Sequence, residues 1–401
     1  MRILIPHTRE LCYYSGSFFL DQIGNELSEL GADVVRMDIT DDDYSGMEEA
    51  LRETFDAIID INSKLPRLID DQGRCYLNTI DTPLYNYILD HPLYHHQGLS
   101  VKAEMYHAIG VDEYHCSYMK RWYPHLKTIS CIPMGGTKAI EPLPLSSREH
   151  EFLFSGTYFL PEVLEERAFR VRSDFGDATY RLMQDLCDAW QPWEKPIETA
   201  LYDILSDYSG VSGGDVALYV NDYYEARDMA ELLNRLYIVD QMRRNEYRYD
   251  VLAAAARTGY RLSLLGEGWE HTDISGYPSV RLLKPVNMEL SFEIMANAKF
   301  IIDVNPFFFC GMHDRVTSAL ANKCVCITDM SQSFDRELRD GKEIFYYGHG
   351  RPAIAEVMGR AGAMDDEKLL EIAKGGHERW RGTYTWSAHA ERLFELIKKD
   401  V

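Results

Sequence analysis

"NPFFFCGMHDRVTSALANKCVCITD" (Asn305–Asp329) reads as the end of one strand, a tight corner at Gly311, a short helix and a second strand. Three polar residues, His313, Asp314 and Arg315, crowd the corner where the helix begins. A purely structural element would place apolar residues there; a binding site at the end of a strand requires polar ones. A helix start also presents free N–H groups and the positive end of a dipole, which suits a phosphate. Arg315 opposes that dipole from the first turn. It either faces a bound anion bidentately or pairs with Asp314 or Asp329 at the surface, and the motif alone favours neither. Cys324 and Cys326 share one face of the second strand and read as buried small hydrophobes.

Outward from this corner, short apolar runs alternate with helical segments in both halves of the 401-residue chain. "RILIPH", "DVVRMDI", "DAIIDIN", "CYLNTID", "DEYHCS" and "TISCIPMG" are the expected strands of the first half, with a helix over "FFLDQIGNELSELG" that stops at Gly31. The second half supplies "HEFLFSGTYF", "YRLSLLGEGW", "SVRLLKPV", "KFIIDVNP", "KCVCITD" and "EIFYY", and a helix over "ELSFEIMANA". This alternation predicts an α/β fold of two doubly wound, Rossmann-like domains facing a crevice. The Pro- and Ser-bearing "EPLPLSSREH" (Glu141–His150) separates them. Expected bounds are 1–145 for the first domain and 146–385 for the second, with a helical insertion over about 161–259. "SGVSGGD" (Ser209–Asp215) interrupts the insertion as a connector. Residues 386–401 form an amphipathic helix placed to pack back on the first domain.

Composition narrows the function. A formal net charge of −22 argues against nucleic acid, whose phosphates need a positive surface, yet permits a local positive pocket for a small anion. No apolar run approaches the ~20 residues of a membrane span, so a cytoplasmic location is the default expectation. Eight cysteines show neither a CxxC pair nor zinc spacing. GxGxxG after the first strand, a P-loop and a GxSxG elbow are all missing, which removes the main support for NAD, ATP and serine-hydrolase readings.

Further residues point into the same crevice. Gly266 and Gly268 of "SLLGEGW" stand at a strand end, and Gly16 and Ser17 of "YYSGSFF" lie in the first strand-to-helix turn. Lys284 of "LLKPV" sits beside another strand end, and "ILDHPLYHH" offers Asp90 and His91. Each has a bland alternative: a turn glycine, a solvated lysine, a structural His–Pro turn.

Taken in order, "LLGEGW", "ANAKFIIDVNP", "GMHDRVTSALANKCVCITD" and "GKEIFYY" resemble the C-terminal domain of GT-B glycosyltransferases, with the bacterial spore-maturation type the most similar subgroup. The resemblance implies a glycosyltransferase with a nucleotide-sugar donor, UDP- or GDP-linked, on the C-terminal domain and a saccharide, peptide or protein acceptor on the other. It implies that His91 contacts the donor sugar, that Arg315 holds the diphosphate, and that Gly16, Ser17, Gly266, Gly268, Lys284, Asn305, Gly311, His313, Asp314, Thr317 and Ser318 surround the donor. Ser318 stands where the family has a ribose-binding Glu, and Lys323 where it has Gly. No cofactor and no metal are expected: the DxD within Asp41–Asp43 lies in an acidic loop and reads as solvated. With no carboxylate placed by the sequence as a covalent nucleophile, retention by front-face attack is the expected outcome. A GT-B-fold epimerase using Asp90 with His91, or a non-catalytic partner subunit, are the alternatives, and a homodimer through the helical insertion is allowed.

Overall fold

The structure is a computed structural model that describes residues 1–8, 15–39, 50, 53–69, 73–79, 81–209, 226–304, 308–332, 338–348 and 353–400. Asn305, Asp41, Asp43 and all of the connector beyond Ser209 lie outside the described residues.

Two six-stranded sheets, each with every pairing parallel, carry the fold. The first contains β1 (Arg2–Thr8), β2 (Asp33–Ile39), β3 (Ala57–Ile61), β4 (Leu84–Ile88), β5 (Tyr106–Gly110) and β6 (Thr128–Cys131), in the order β2-β1-β3-β4-β5-β6. The second contains β7 (His150–Ser155), β8 (Leu262–Leu265), β9 (Val280–Leu283), β10 (Ala298–Ile302), β11 (Val325–Asp329) and β12 (Phe345–Tyr347), in the order β12-β11-β10-β7-β8-β9. These are two doubly wound, Rossmann-like domains. Strand order reverses beside β1 and β3 in one sheet and beside β7 and β10 in the other, which is where such sheets bind ligands.

Two N-terminal expectations are corrected. "CYLNTID" holds a 3-10 turn over Tyr76–Thr79, and the fourth strand is "LYNYI", buried at every position. "DEYHCS" opens a helix, because the Asp112 carboxylate accepts from the N–H groups of Tyr114 (2.6 Å) and His115 (3.1 Å) and caps it. The fifth strand is the preceding "YHAIG".

The helices, in chain order, are α1 (Ser15–Glu29), α2 (Glu113–Trp122), α3 (Pro161–Ala189), α4 (Ile197–Ser209), α5 (Ala226–Arg235), α6 (Tyr237–Arg257), α7 (Met288–Ala296), α8 (Asp314–Ala321), α9 (Ala353–Gly362), α10 (Asp366–Thr383) and α11 (Trp386–Ile397). Sequence order assigns α3–α6 to the second domain, but their apolar stripes join the core of the first. Leu164, Leu186, Trp190, Leu201, Leu232 and Val239 form one cluster with Ile58, Leu84, Met119 and Trp122. Only the far end of α6, from Tyr247 to Ala256, enters the core of the second sheet. At 21 residues, or roughly 31 Å, α6 therefore spans from one core to the other.

Three further contacts tie the domains. Asp112 pairs backbone with Gly311, and its carboxylate accepts from Cys310 N at 2.8 Å. A Cβ at Gly311 would lie 2.9 Å from Asp112 and from Val111 O, so the glycine is required by this close approach. The Gly135–Ala139 linker bonds α8 through Thr137 N to Ser318 Oγ (3.0 Å) and Asn322 Nδ2 to Thr137 O (2.8 Å). Helix α11 lies on α1, with the rings of Trp386 and Phe19 5.8 Å apart.

Lys323 follows α8 with φ 52°, the left-handed position that glycine normally fills. Replacing Lys323→Gly relieves strain of ~1–2 kcal/mol while adding unfolded-state entropy, so a net gain of up to about 1 kcal/mol is expected. Denaturant unfolding checks the sign; a loss of stability would mean that Lys323 makes a contact worth more than the strain.

Candidate functional site

Between the two sheets lies a cavity of about 380 Å³ whose walls come from strand ends at both reversal points. Asn62, Leu89, Asp90 and Val111 follow β3, β4 and β5 of the first sheet. Ser155–Thr157, Leu265, Gly266, Pro285 and Val286 follow β7, β8 and β9 of the second, and Met312–Arg315 form the start of α8. A larger open groove of about 610 Å³ runs between β6 and α11, but its charges, Glu391, Arg392, Glu395 and Lys399, alternate in sign and do not converge.

Arg315 enters this cavity engaged with the protein. Its Nε donates to Asp303 Oδ1 at 2.8 Å and its Nη1 to Ser155 O at 2.7 Å, over the ring of Phe154. The surface partners Asp314 and Asp329 are not the ones it uses. Asp303 is fully buried at the end of β10 and also accepts from Thr328 Oγ1 (3.1 Å). The cation that opposes the α8 dipole is thus neutralised by a carboxylate at the end of β10, the strand before it.

His313 caps α8. Its Nδ1 accepts from Arg315 N at 3.2 Å and lies 2.5 Å from Asp314 Oδ1. Burial works to raise the Asp314 carboxyl, but His313 and Arg315 overcome it and hold the group below the usual range.

Two more arginines reach the cavity from the middle of α6, where the helix passes between the cores. Arg244 bonds Asp240 and Tyr94 Oη. Burial works against its charge, but Asp240, Tyr94 and Asp90 outweigh it and keep the guanidinium firmly protonated. Arg248 Nη1 donates to Thr157 O at 2.6 Å, while its Nε has no hydrogen-bond partner. Among the described residues Arg248 has no carboxylate partner. Burial, reinforced by Arg315 and Arg244, pulls its pKa down to about 9, against more than 12 for an ordinary arginine. Asn245, between them, clamps the backbone of Phe159 with both amide atoms (2.9 and 2.8 Å) and so fixes the loop after β7.

Of the residues expected at the donor site, Gly266, His313, Asp314 and Arg315 line the cavity. Gly311 lies at the domain contact instead. Thr317 and Ser318 are turned away: both are fully buried, Ser318 Oγ takes the linker amide, and Thr317 O faces Gly136. In the first turn of α1 the lining residues are Ser15 and Phe19, not Gly16 and Ser17. Lys284 is exposed outside the cavity, beside Pro285 and Val286, which line it. Gly268 packs on Tyr158 O, where a Cβ would lie at 2.0 Å. His91 is buried: its Nδ1 accepts from Leu93 N (3.2 Å), and its ring meets His115 and Tyr118 edge-on at 4.9 Å. Burial, with His115, Arg244 and His95 adding, keeps it well below the usual histidine pKa.

Sequence reading missed Arg244 and Arg248, because it sought polar groups at strand ends. Their signal is the i, i+4 spacing in "RRNEYR", which puts both on one helix face. Among the described residues no group of three His, Cys, Asp or Glu side chains is placed to hold a metal, and no helix is long and apolar enough to cross a membrane.

Residues 223–395, somewhat less than half of the chain, match the family model described as glycosyl transferase-like. No curated protein matches the sequence significantly. Among solved structures, sucrose-phosphate synthase from Thermosynechococcus elongatus superposes with a TM-score of 0.59 at 12% identity, over 100% of this chain and 98% of that one. Anabaena HepE in complex with UDP-glucose gives 0.58 at 9% identity over 100% of both chains. T4 phage BGT in complex with UDP and Mn2+ gives 0.56 at 11% identity over 99% of both. At such identities the likeness shows the fold, which is that of GT-B glycosyltransferases. The family match does not resolve the spore-maturation subgroup.

Arg315→Ala would strand the buried Asp303 carboxylate. A loss of about 3–5 kcal/mol in stability is expected, since one partner of a buried pair is left uncompensated. Thermal unfolding checks this; an unchanged melting temperature would show that Arg315 is held for a ligand rather than for the fold.

Proposed function

From a chain with the GT-B fold and a glycosyl transferase-like C-terminal region, we propose a glycosyltransferase that moves a hexose from a UDP- or GDP-linked donor to a saccharide, peptide or protein acceptor. The observation that carries this reading is Arg248, a guanidinium at the cavity wall with an unpartnered Nε and no carboxylate among the described residues. Two neighbouring arginines already crowd it. Such a corner is relieved by an anion, and a diphosphate bridging Arg248 toward Arg244 and the start of α8 fits its position.

The apolar end of the cavity, lined by Leu265, Pro285, Val286, Met288, Phe292 and Met295, supports placement of the nucleobase there. Asp314, held ionised at the α8 start, is the carboxylate available to ribose hydroxyls, a role that Ser318 does not reach from the linker side. When the sugar–phosphate bond breaks, negative charge grows on the departing nucleoside diphosphate. Arginine charge and helix dipole stabilise it in a water-poor corner, so the reaction proceeds without a metal.

Neither alternative gains support. No hydrogen bond joins Asp90 to His91 among the described residues, and His91 Nδ1 accepts from Leu93 N in the turn at Pro92, which speaks against the two acting as one acid/base pair. Ser318, where the family has a ribose-binding Glu, lies outside the cavity, so that departure does not speak for a non-catalytic subunit.

Arg248→Met is expected to weaken UDP or GDP binding roughly ten- to hundredfold, about 1.5–3 kcal/mol for a lost charge-assisted contact. The melting temperature should not fall, because no buried carboxylate is stranded. Nucleotide release from UDP- and GDP-hexoses, followed with and without EDTA, tests the metal-free chemistry. Loss of activity with chelator and recovery with manganese would return the site to Asp41 and Asp43.

A further inference from the structure

We propose that Cys116 and Cys131 form a peroxide-reactive dithiol, a modification site apart from the cavity: peroxide oxidises Cys131, and Cys116 resolves the product to an intramolecular disulfide. Neither sulfur takes part in the donor reading above, so the two stand or fall separately.

A missing side chain brings the thiols together. Gly110, the last residue of β5, pairs with Cys131, the last of β6, in the parallel register of these strands. Residues paired in this way direct their side chains to one face, on strands about 4.8 Å apart. A Cβ at Gly110 would lie 2.7 Å from Cys116 Sγ. The sulfur, arriving from α2, therefore fills the space beside Cys131 that a side chain at 110 would take. Cys116 Sγ is also 3.3 Å from the oxygen of Ser130, the residue before Cys131.

The two thiols share a hydrogen bond, which holds Cys116 below and Cys131 above the usual thiol range. Their surroundings divide the labour. Cys131 is exposed and lines the groove of about 610 Å³ between β6 and α11, whereas Cys116 is buried. A sulfur open to an oxidant thus stands against a sheltered one that can resolve it. The other described cysteines lack one half of this arrangement. Cys324 and Cys326 are buried, while Cys75 and Cys310 bond Pro66 O and Gln332 Oε1.

In the first step the Cys131 sulfur bonds one oxygen of hydrogen peroxide as the O–O bond breaks. The second oxygen leaves as hydroxide, and the Cys131 proton crosses the shared hydrogen bond to the Cys116 thiolate. The Cys116 sulfur then forms the S–S bond, and its proton departs with the sulfenic oxygen as water. Two electrons pass from the sulfurs to one peroxide. The bond ties β6, which leads through Met134 at the cavity into the linker on α8, to the helix whose cap Asp112 holds Cys310.

The test treats the full chain with hydrogen peroxide, alkylates the remaining thiols with iodoacetamide and reads the peptides by mass spectrometry. A linked Cys116–Cys131 peptide pair, lighter by two hydrogen atoms and lost on treatment with dithiothreitol, is expected before Cys75, Cys187 or Cys310 is oxidised. Cys116→Ser removes the resolving sulfur, so Cys131 should then be trapped by dimedone as a sulfenic acid. Cys131 recovered from the unaltered chain as sulfenic or sulfinic acid with Cys116 still a thiol overturns the proposal. So does a disulfide between two chains, or oxidation of Cys75 or Cys310 while both thiols stay intact. The peptide map of the unaltered chain decides the matter even if the variant does not fold.

Discussion

Asp303, a carboxylate with no exposure to solvent, is the constraint on which this arrangement depends. It lies where β10 ends and gathers Arg315 from α8 and Thr328 from β11, while its backbone oxygen takes the Tyr347 hydroxyl from β12 at 2.8 Å. A buried ion pair carries a large desolvation cost and is kept in place by the hydrogen bonds around it. One consequence is positional: the start of α8 is pinned against the end of β7, through Ser155 O. The other is chemical. Arg315 is neutralised inside the protein, so among the described residues Arg248, on a helix outside either sheet, is an arginine at the cavity without a carboxylate partner.

That helix also governs the crevice. The first turn of α6 is buried with the core of the first domain, and its last three turns with that of the second. A hinge opening would have to extract one end from its apolar cluster, as well as break the backbone pairing of Asp112 with Gly311 and the linker bonds of Ser318 and Asn322. Burial of a single large apolar side chain is worth about 1.5–3 kcal/mol, and several line each end. The arginines therefore stand in a crevice of nearly fixed width, pre-set for a ligand that spans it.

How much of this was legible in the sequence depends on where each residue sits relative to its element. The second sheet could be read strand by strand, because its segments are short apolar runs bounded by turns. In the first sheet "LYNYI" was passed over because Asn86 interrupts it, yet that amide is buried and bonded to Ser63 and Tyr106. The corner at His313–Arg315 was found from its polarity alone. Rotation about α1 and α8, which strand-end reasoning does not resolve, moved the lining from Gly16 and Ser17 to Ser15 and Phe19, and turned Thr317 and Ser318 to the linker. Arg244 and Arg248 were hidden in a helix whose role as a bridge follows only from tertiary packing. Asp90 was noticed as half of a pair with His91; separating the two required the turn at Pro92.

The central claim is that the arginine corner seats a diphosphate, and an affinity ladder tests it most directly. Calorimetric binding of uridine, UMP and UDP, with the guanosine series alongside, should show affinity rising at each phosphate, by at least about a hundredfold from nucleoside to diphosphate for the preferred base, given ~1.5–3 kcal/mol for each charged contact. A nucleoside that binds as tightly as its diphosphate would contradict the account.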